Sequence, residues 1–290
     1  MVQSLYFLGG IVMKFDLYQS AQDHRLIVCH RGVTGGNIPC NTMPAYEIAL
    51  LQGADMIETD VSKTADDQLV IFHPRMESRH LGKDCCIPQM TWEEVSQLRY
   101  INMNHTPTQF GLLKLDELLE HFKGRCYINI DKFWSAPAEI YKCLKRHGMM
   151  DQVLVKSPPT EEVLTVLEQI GPDVPYMPVM YEGEDLPHRM LIDRNINYVG
   201  VEVVYPNEDS IFATEEFVEN LQKDRKLVWV NSIIYNTKKQ LSGGHSDDSA
   251  FTVSMEHGWG WLADKGYDMI QTDWPAMLID FLKSTNRYYR

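Results

Sequence analysis

No stretch of the sequence reaches the roughly 20 consecutive apolar residues of a membrane-spanning helix, so stable insertion into a bilayer is not expected. Nor is there an excess of positive charge. Lys and Arg number 27 against 40 Asp and Glu, a net charge of −13, which disfavours a nucleic-acid partner. The six cysteines (Cys29, Cys40, Cys85, Cys86, Cys126 and Cys143) contain no CxxC pair, and two are adjacent; neither a zinc knuckle nor a disulfide framework is indicated. That usage fits a reducing compartment, and a cytoplasmic location is expected. Low-complexity tracts and short internal repeats are also missing, which removes fibrous, disordered and solenoid classes.

What remains is an ordinary globular composition in 290 residues, long for one average domain but usual for one α/β barrel. The opening Met1–Lys14 has a short apolar run, with no basic residue before it and no small-x-small cleavage site. It reads as an arm, or as an upstream start ahead of Met13. The expected organisation is an N-terminal arm over 1–24 and a single domain over 25–290.

The chain is organised around the stretch from His30 to His73. Within Met56-Ile57-Glu58-Thr59-Asp60-Val61, apolar and β-branched residues predict a strand, and residues two apart on a strand face the same way. Glu58 and Asp60 therefore converge. Two carboxylates on a strand buried on both faces are costly unless something cationic meets them, and oxygen-only ligation favours Mg2+ or Ca2+ over zinc. The alternative is a pair of ordinary salt bridges. Strands Leu26–His30 and Leu69–His73 each deliver a histidine at the last position, and imidazoles titrate where a proton must be both given and taken. One such histidine alone reads as a core residue; two flanking a carboxylate pair point to catalysis. Arg31 adds a planar fork of donors suited to a phosphate.

From 115 onward the pattern alternates helix and strand: helices at 115–123, 136–147, 160–169, 186–194, 213–222, 256–265 and 275–284, and strands at 126–131, 153–156, 175–179, 198–204, 226–231 and 268–272. With 26–30 and 55–61 (partnered by 69–73), this makes eight βα units. Repeated βα units mean parallel strands, and eight of them predict a TIM (β/α)8 barrel, with a small insertion after the second strand, about 74–111. A capping box at Thr91–Glu94 marks a short helix inside that insertion. The polar tract Thr237–Ser249 is expected as a lid.

In such a barrel function collects at the strands' C-terminal ends. Asp131, closing the third barrel strand, is a candidate third metal ligand. Lys132 and Lys156 are both candidates for phosphate; alternation sends Lys132 to the other face and favours Lys156. Glu202 either enters the pocket or pairs with a lysine. Asn231 ends the seventh barrel strand, and Trp274 either walls the pocket or packs in the core.

These residues resemble the glycerophosphodiester phosphodiesterase family. The matching text is His30-Arg31-Gly32, Asn41-Thr42 with Ala45 and Ala49, Gly53-Ala54-Asp55-Met56-Ile57-Glu58-Thr59-Asp60-Val61, Thr64, Val70–His73 and Gln271-Thr272-Asp273-Trp274-Pro275. The resemblance spans roughly 25–285. It implies a TIM barrel, a divalent cation held by Glu58, Asp60 and the third-strand acid, and acid/base work by His30 and His73. Arg31 and a lysine would hold the phosphate of a small glycerophosphodiester, cut to glycerol 3-phosphate and an alcohol with help from the glycerol hydroxyl. Three departures stand out: Cys40 where the family carries Glu, Pro74 after the second histidine, and Asp131-Lys132 in place of Glu-x-Lys. Two rival readings are a phospholipase of the same superfamily acting on lysolipids or sphingolipids, and a non-catalytic phosphodiester-binding protein. Head-group alcohol and oligomeric state are not legible.

Overall fold

A computed structural model describes residues 15–182, 191–235 and 239–290. Its strands are β1 (Leu26–Cys29), β2 (Met56–Lys63), β3 (Leu69–Ile71), β4 (Leu113–Lys114), β5 (Tyr127–Asp131), β6 (Val153–Ser157), β7 (Tyr176–Tyr181), β8 (Gly200–Val204), β9 (Leu227–Asn231) and β10 (Met269–Thr272). All but β3 and β4 are parallel neighbours in the order β1-β2-β5-β6-β7-β8-β9-β10, and β10 pairs back onto β1. The sheet is therefore a closed eight-stranded barrel, as expected from the repeated βα units. Closure leaves no open edge, and the strands are apolar on both faces because helices cover the outside while side chains fill the lumen.

The helices among the described residues are α1 (Leu17–Asp23), α2 (Met43–Leu51), α3 (Glu77–Leu81), α4 (Trp92–Val95), α5 (Leu115–Phe122), α6 (Pro137–His147), α7 (Glu161–Ile170), α8 (Glu215–Lys223), α9 (Asp247–Thr252), α10 (Trp261–Asp264) and α11 (Pro275–Ser284). Most of the helix expected near 186–194 lies outside the described residues. The one expected over 256–265 is instead a π-turn, Glu256–Gly260, running into α10, preceded by α9.

After β2 the chain leaves the barrel. Strand β3 turns back antiparallel on β2 (Val61 opposite Ile71), and β4 pairs antiparallel with β3 (Ile71 opposite Leu113). The residues between them carry α3 and α4, the latter with the capping box of Thr91 and Glu94. This insertion has a core of its own, built from Val70, Phe72, Leu81, Ile87, Val95, Tyr100 and Leu112. At the other end of the barrel, Phe15, Leu17, Tyr18 and Ala21 pack on Leu26, Val28, Met56, Tyr127, Leu154, Met177, Leu227, Trp229 and Met269. Residues 15–24 of the segment expected as an arm thus form a plug; 1–14 lie outside the described residues.

Candidate active site

Parallel pairing of β2 with β5 sets Glu58 opposite Asn129 and Asp60 opposite Asp131. Register alone therefore brings the acids of two strands side by side. Glu58, Asp60 and Asp131 each offer an oxygen within 4.8 Å of the others. Asp60 is fully buried, yet its Oδ1 has no hydrogen-bond partner, and neither has Oδ1 of buried Asn129. Burial, and next the neighbouring Asp60, push the Glu58 carboxyl up to about 7. Burial also acts to raise Asp131, but Lys132 and then Lys156 outweigh it and hold that carboxyl well below the usual range.

The other Asp60 oxygen is held in place. Asn41 donates to Oδ2 (3.0 Å), and the Tyr46 hydroxyl lies 2.8 Å from Asn41 Oδ1 and 2.7 Å from Thr59 Oγ1. Asn41 thus has a structural reason to stand in the motif that sequence reasoning could quote but not explain. Arg31 has a positive φ of 55°, and Gly32 follows at 76°, where an added Cβ would lie 2.6 Å from the Ala45 backbone. Only glycine allows that turn. It aims the Arg31 N–H at Glu58 Oε2 (2.9 Å) and sets Nε 2.8 Å from Asp60 Oδ2, within ion-pair distance though not aligned as a hydrogen bond.

The two histidines flank this acidic cluster and are oriented differently. His30 Nδ1 donates to Asp273 Oδ1 (2.9 Å). His73 Nδ1 donates to the Pro74 carbonyl (2.8 Å), leaving Nε2 at 4.0 Å from Asp60 Oδ1. A backbone oxygen thus orients the second ring. Burial, opposed by Asp60, lowers the His73 pKa from its ordinary value.

Lys132 is not where strand alternation puts it. Its φ is +61°, which ends β5 and turns the side chain back, with Nζ 2.5 Å from Asp131 Oδ2 and 3.8 Å from Asp60 Oδ1. Lys156 is also buried at the mouth, but its Nζ is bound to Glu202 Oε2 (2.7 Å) and sits 3.8 Å from the Trp229 ring centroid. Asn231 donates to the other Glu202 oxygen (2.6 Å). Of the two readings of Glu202, the lysine pair is the one observed. Trp274 is half exposed at the rim, edge-on to Phe251.

A cleft of about 540 Å³ opens beside His30 and Arg31, bounded by Cys40, His80, Asn102 and Asp273 among others. Cys40 lies 3.6 Å from His80 Nδ1, and burial pushes its thiol up to about 12, so it stays neutral. The tract expected as a lid is pinned in its described part: Leu241, Ser242, His245, Ser246 and Asp247 are all buried. Its residues 237 and 238 lie outside the described residues. Asp247, which sequence reasoning passed over, accepts four hydrogen bonds there. A second cluster, Asp116, Cys143 and His147, is already satisfied by hydrogen bonds from Arg146 and His147 to Asp116 and leaves no orphaned atom.

A family described only as a domain of unknown function matches residues 176–282. A glycerophosphodiester phosphodiesterase of Bacillus altitudinis is 26% identical over 74% of this chain and 88% of its own length. Among solved structures, a glycerophosphoryl diester phosphodiesterase of Parabacteroides distasonis superposes with a TM-score of 0.74 at 18% identity, covering 93% of this chain and 91% of that one. A phosphodiesterase of Oleispira antarctica, solved with its product sn-glycerol-3-phosphate, gives 0.69 at 19% identity, covering 92% and 99%. Barrel and relatives together define a TIM-barrel phosphodiesterase. More narrowly, the relatives and structures it resembles over most of its length are glycerophosphodiester phosphodiesterases.

Proposed function

We propose that the protein hydrolyses glycerophosphodiesters to glycerol 3-phosphate and an alcohol, with a divalent cation held by Glu58, Asp60 and Asp131. The observation that carries this reading is the fully buried Asp60 Oδ1, which accepts no hydrogen bond and has Lys132 Nζ no nearer than 3.8 Å, inside a three-carboxylate cluster. A buried anionic oxygen with no donor is costly unless a cation meets it. The donor set is all oxygen, which suits Mg2+ or Ca2+. When bound, the cation supplies charge neutralisation at the phosphodiester oxygens.

The chain's own residues do the rest. Arg31 and Lys132 border the cluster and offer donors to the phosphate, while Lys156, held by Glu202, adds positive charge behind Asp131. With Nδ1–H engaged by Asp273 or Pro74, each imidazole turns Nε2 to the substrate. One ring takes the proton of the attacking glycerol hydroxyl and the other gives a proton to the departing alkoxide; with the roles reversed, water then opens the cyclic phosphate so formed to glycerol 3-phosphate. The test is release of glycerol 3-phosphate from a panel of glycerophosphodiesters with Mg2+, with Ca2+ and with EDTA. Metal-dependent release is expected; no release from folded protein with either metal overturns the reading.

A further inference from the structure

His30 is held by Asp273, but the Asp273 side chain is 54% exposed in the loop after β10. An exposed carboxylate on a loop orients a ring only if its backbone is fixed. Both sides of Asp273 are fixed by one buried residue, Asp247, which is 3% exposed. Its Oδ2 accepts the N–H of Asp273 itself (2.8 Å), and its Oδ1 accepts the hydroxyl of Thr272 (2.8 Å), whose oxygen in turn takes the N–H of Trp274 (2.9 Å). Oδ1 also accepts from Ser232 Oγ (2.6 Å) and Trp259 Nε1 (2.7 Å). Asp247 N donates to the Ser232 carbonyl (2.6 Å), and Ser232 N to the Gln271 carbonyl (2.8 Å).

The approach of Trp259 has its own requirement. In the π-turn, a Cβ on Gly258 would lie 2.6 Å from both Ala250 N and Ser246 O, so glycine is what lets this turn close on α9. The tract thus seats one acceptor under the last turn of β10. Only a carboxylate suits it: four donors converge, and an amide would set its own NH2 against one of them.

We propose that Asp247 is a positioning residue for the reaction, acting on His30 through Asp273. This rests on the reading of His30 as half of the acid/base pair. The arrangement is a relay of position from the tract after β9, through the Thr272–Trp274 backbone, to one imidazole, and small losses of alignment at such a ring are magnified in rate.

The experiment is a double-mutant cycle with Asp247→Asn and Asp273→Ala, read by kinetics and by NMR of the His30 ring in the metal-free protein. Asp247→Asn is expected to lower kcat by about 10–100-fold with KM within about twofold. The double variant should be no worse than Asp273→Ala alone, and the His30 Nδ1–H signal should lose its slow exchange in either variant. Additive losses in the cycle, or an unchanged His30 signal in Asp247→Asn, overturn the proposal. If Asp247→Asn does not fold, Thr272→Val removes one donor and the Trp274 anchor, and the same two readouts decide. If no glycerophosphodiester is cleaved at all, the proposed reaction fails while the NMR arm still decides the positioning.

Discussion

At the scale of single residues, the site turns on which lysine reaches the carboxylates. Alternation along a strand holds only while the backbone is extended, and Lys132 adopts φ +61°, leaving β5 at that point. Its ammonium therefore joins Asp131 and Asp60 instead of facing outward, whereas Lys156 is locked by Glu202. The two substitutions should separate in rate. Lys132→Met is expected to lower kcat/KM by about 100-fold and also to lower the denaturant midpoint, because it leaves Asp131 and buried Asp60 without that cation. Lys156→Met should cost about 3–5 kcal/mol in stability, because it strands buried Glu202 without its cation. Steady-state kinetics with urea titration of both variants checks this, and the reverse pattern would return the phosphate role to Lys156. What was legible at this scale was any residue whose chemistry follows from its place on a strand, such as Glu58, Asp60 and the two histidines as strand-end groups. Illegible were roles that depend on a positive φ, as at Lys132, or on a backbone acceptor, as at His73 with Pro74.

At the scale of elements, every expected strand lies within two residues of the observed one, because apolar runs bounded by glycine and polar turns admit few other readings. The tract after β9 was misread for the same reason in reverse. Its residues are polar, so it looked like solvent-facing lid, yet Asp247 satisfies Ser232, Trp259 and Thr272 across separations that no local pattern reveals. Helix packing against the barrel is also held by charge. Glu47 of α2 takes both terminal nitrogens of Arg125 (2.7 and 2.8 Å) and Nε2 of His121 at the end of α5 (2.5 Å). The Arg125 hydrogen bond, against burial and with help from His121, holds the Glu47 carboxyl down to about 2. A lowered acid contributes stability above its unfolded pKa, and that contribution is lost as pH falls toward the folded value. Because Glu47 is 35% exposed, solvent screening limits the contribution to about 1 kcal/mol. Glu47→Gln should therefore be less stable by about that amount at pH 7, and the gap should close between pH 4.5 and about 2. A gap that stays constant across that range in urea titrations would mean the helix pair is held by packing alone.

For the whole molecule, the barrel separates chemistry from stability by end. Glu58, Asp60, Asp131, the two histidines and the cleft beside them lie at the C-terminal mouth or on the loops that leave it, whereas α1 closes the opposite end over Leu26, Met56, Leu154 and Trp229. A seven-residue helix is too short for its periodicity to announce a packed face, so the sequence reads there as an arm. Its burial is nevertheless complete at Ala21, which is 0% exposed against the lower layer of the barrel. A carboxylate at that position would be shut off from water among apolar side chains. Ala21→Asp is accordingly expected to destabilise the protein by about 2–3 kcal/mol, read as a lower urea midpoint. Its kcat and KM, measured well below the unfolding transition, should stay within about twofold of wild type, because no element of the mouth rests on α1. A fall in kcat in protein shown to be folded would mean that the lower layer of the lumen sets the register of β2 and β5, and with it the spacing of the three carboxylates. In that case the two ends of the barrel would act as one unit, and the division between them would be one of location only.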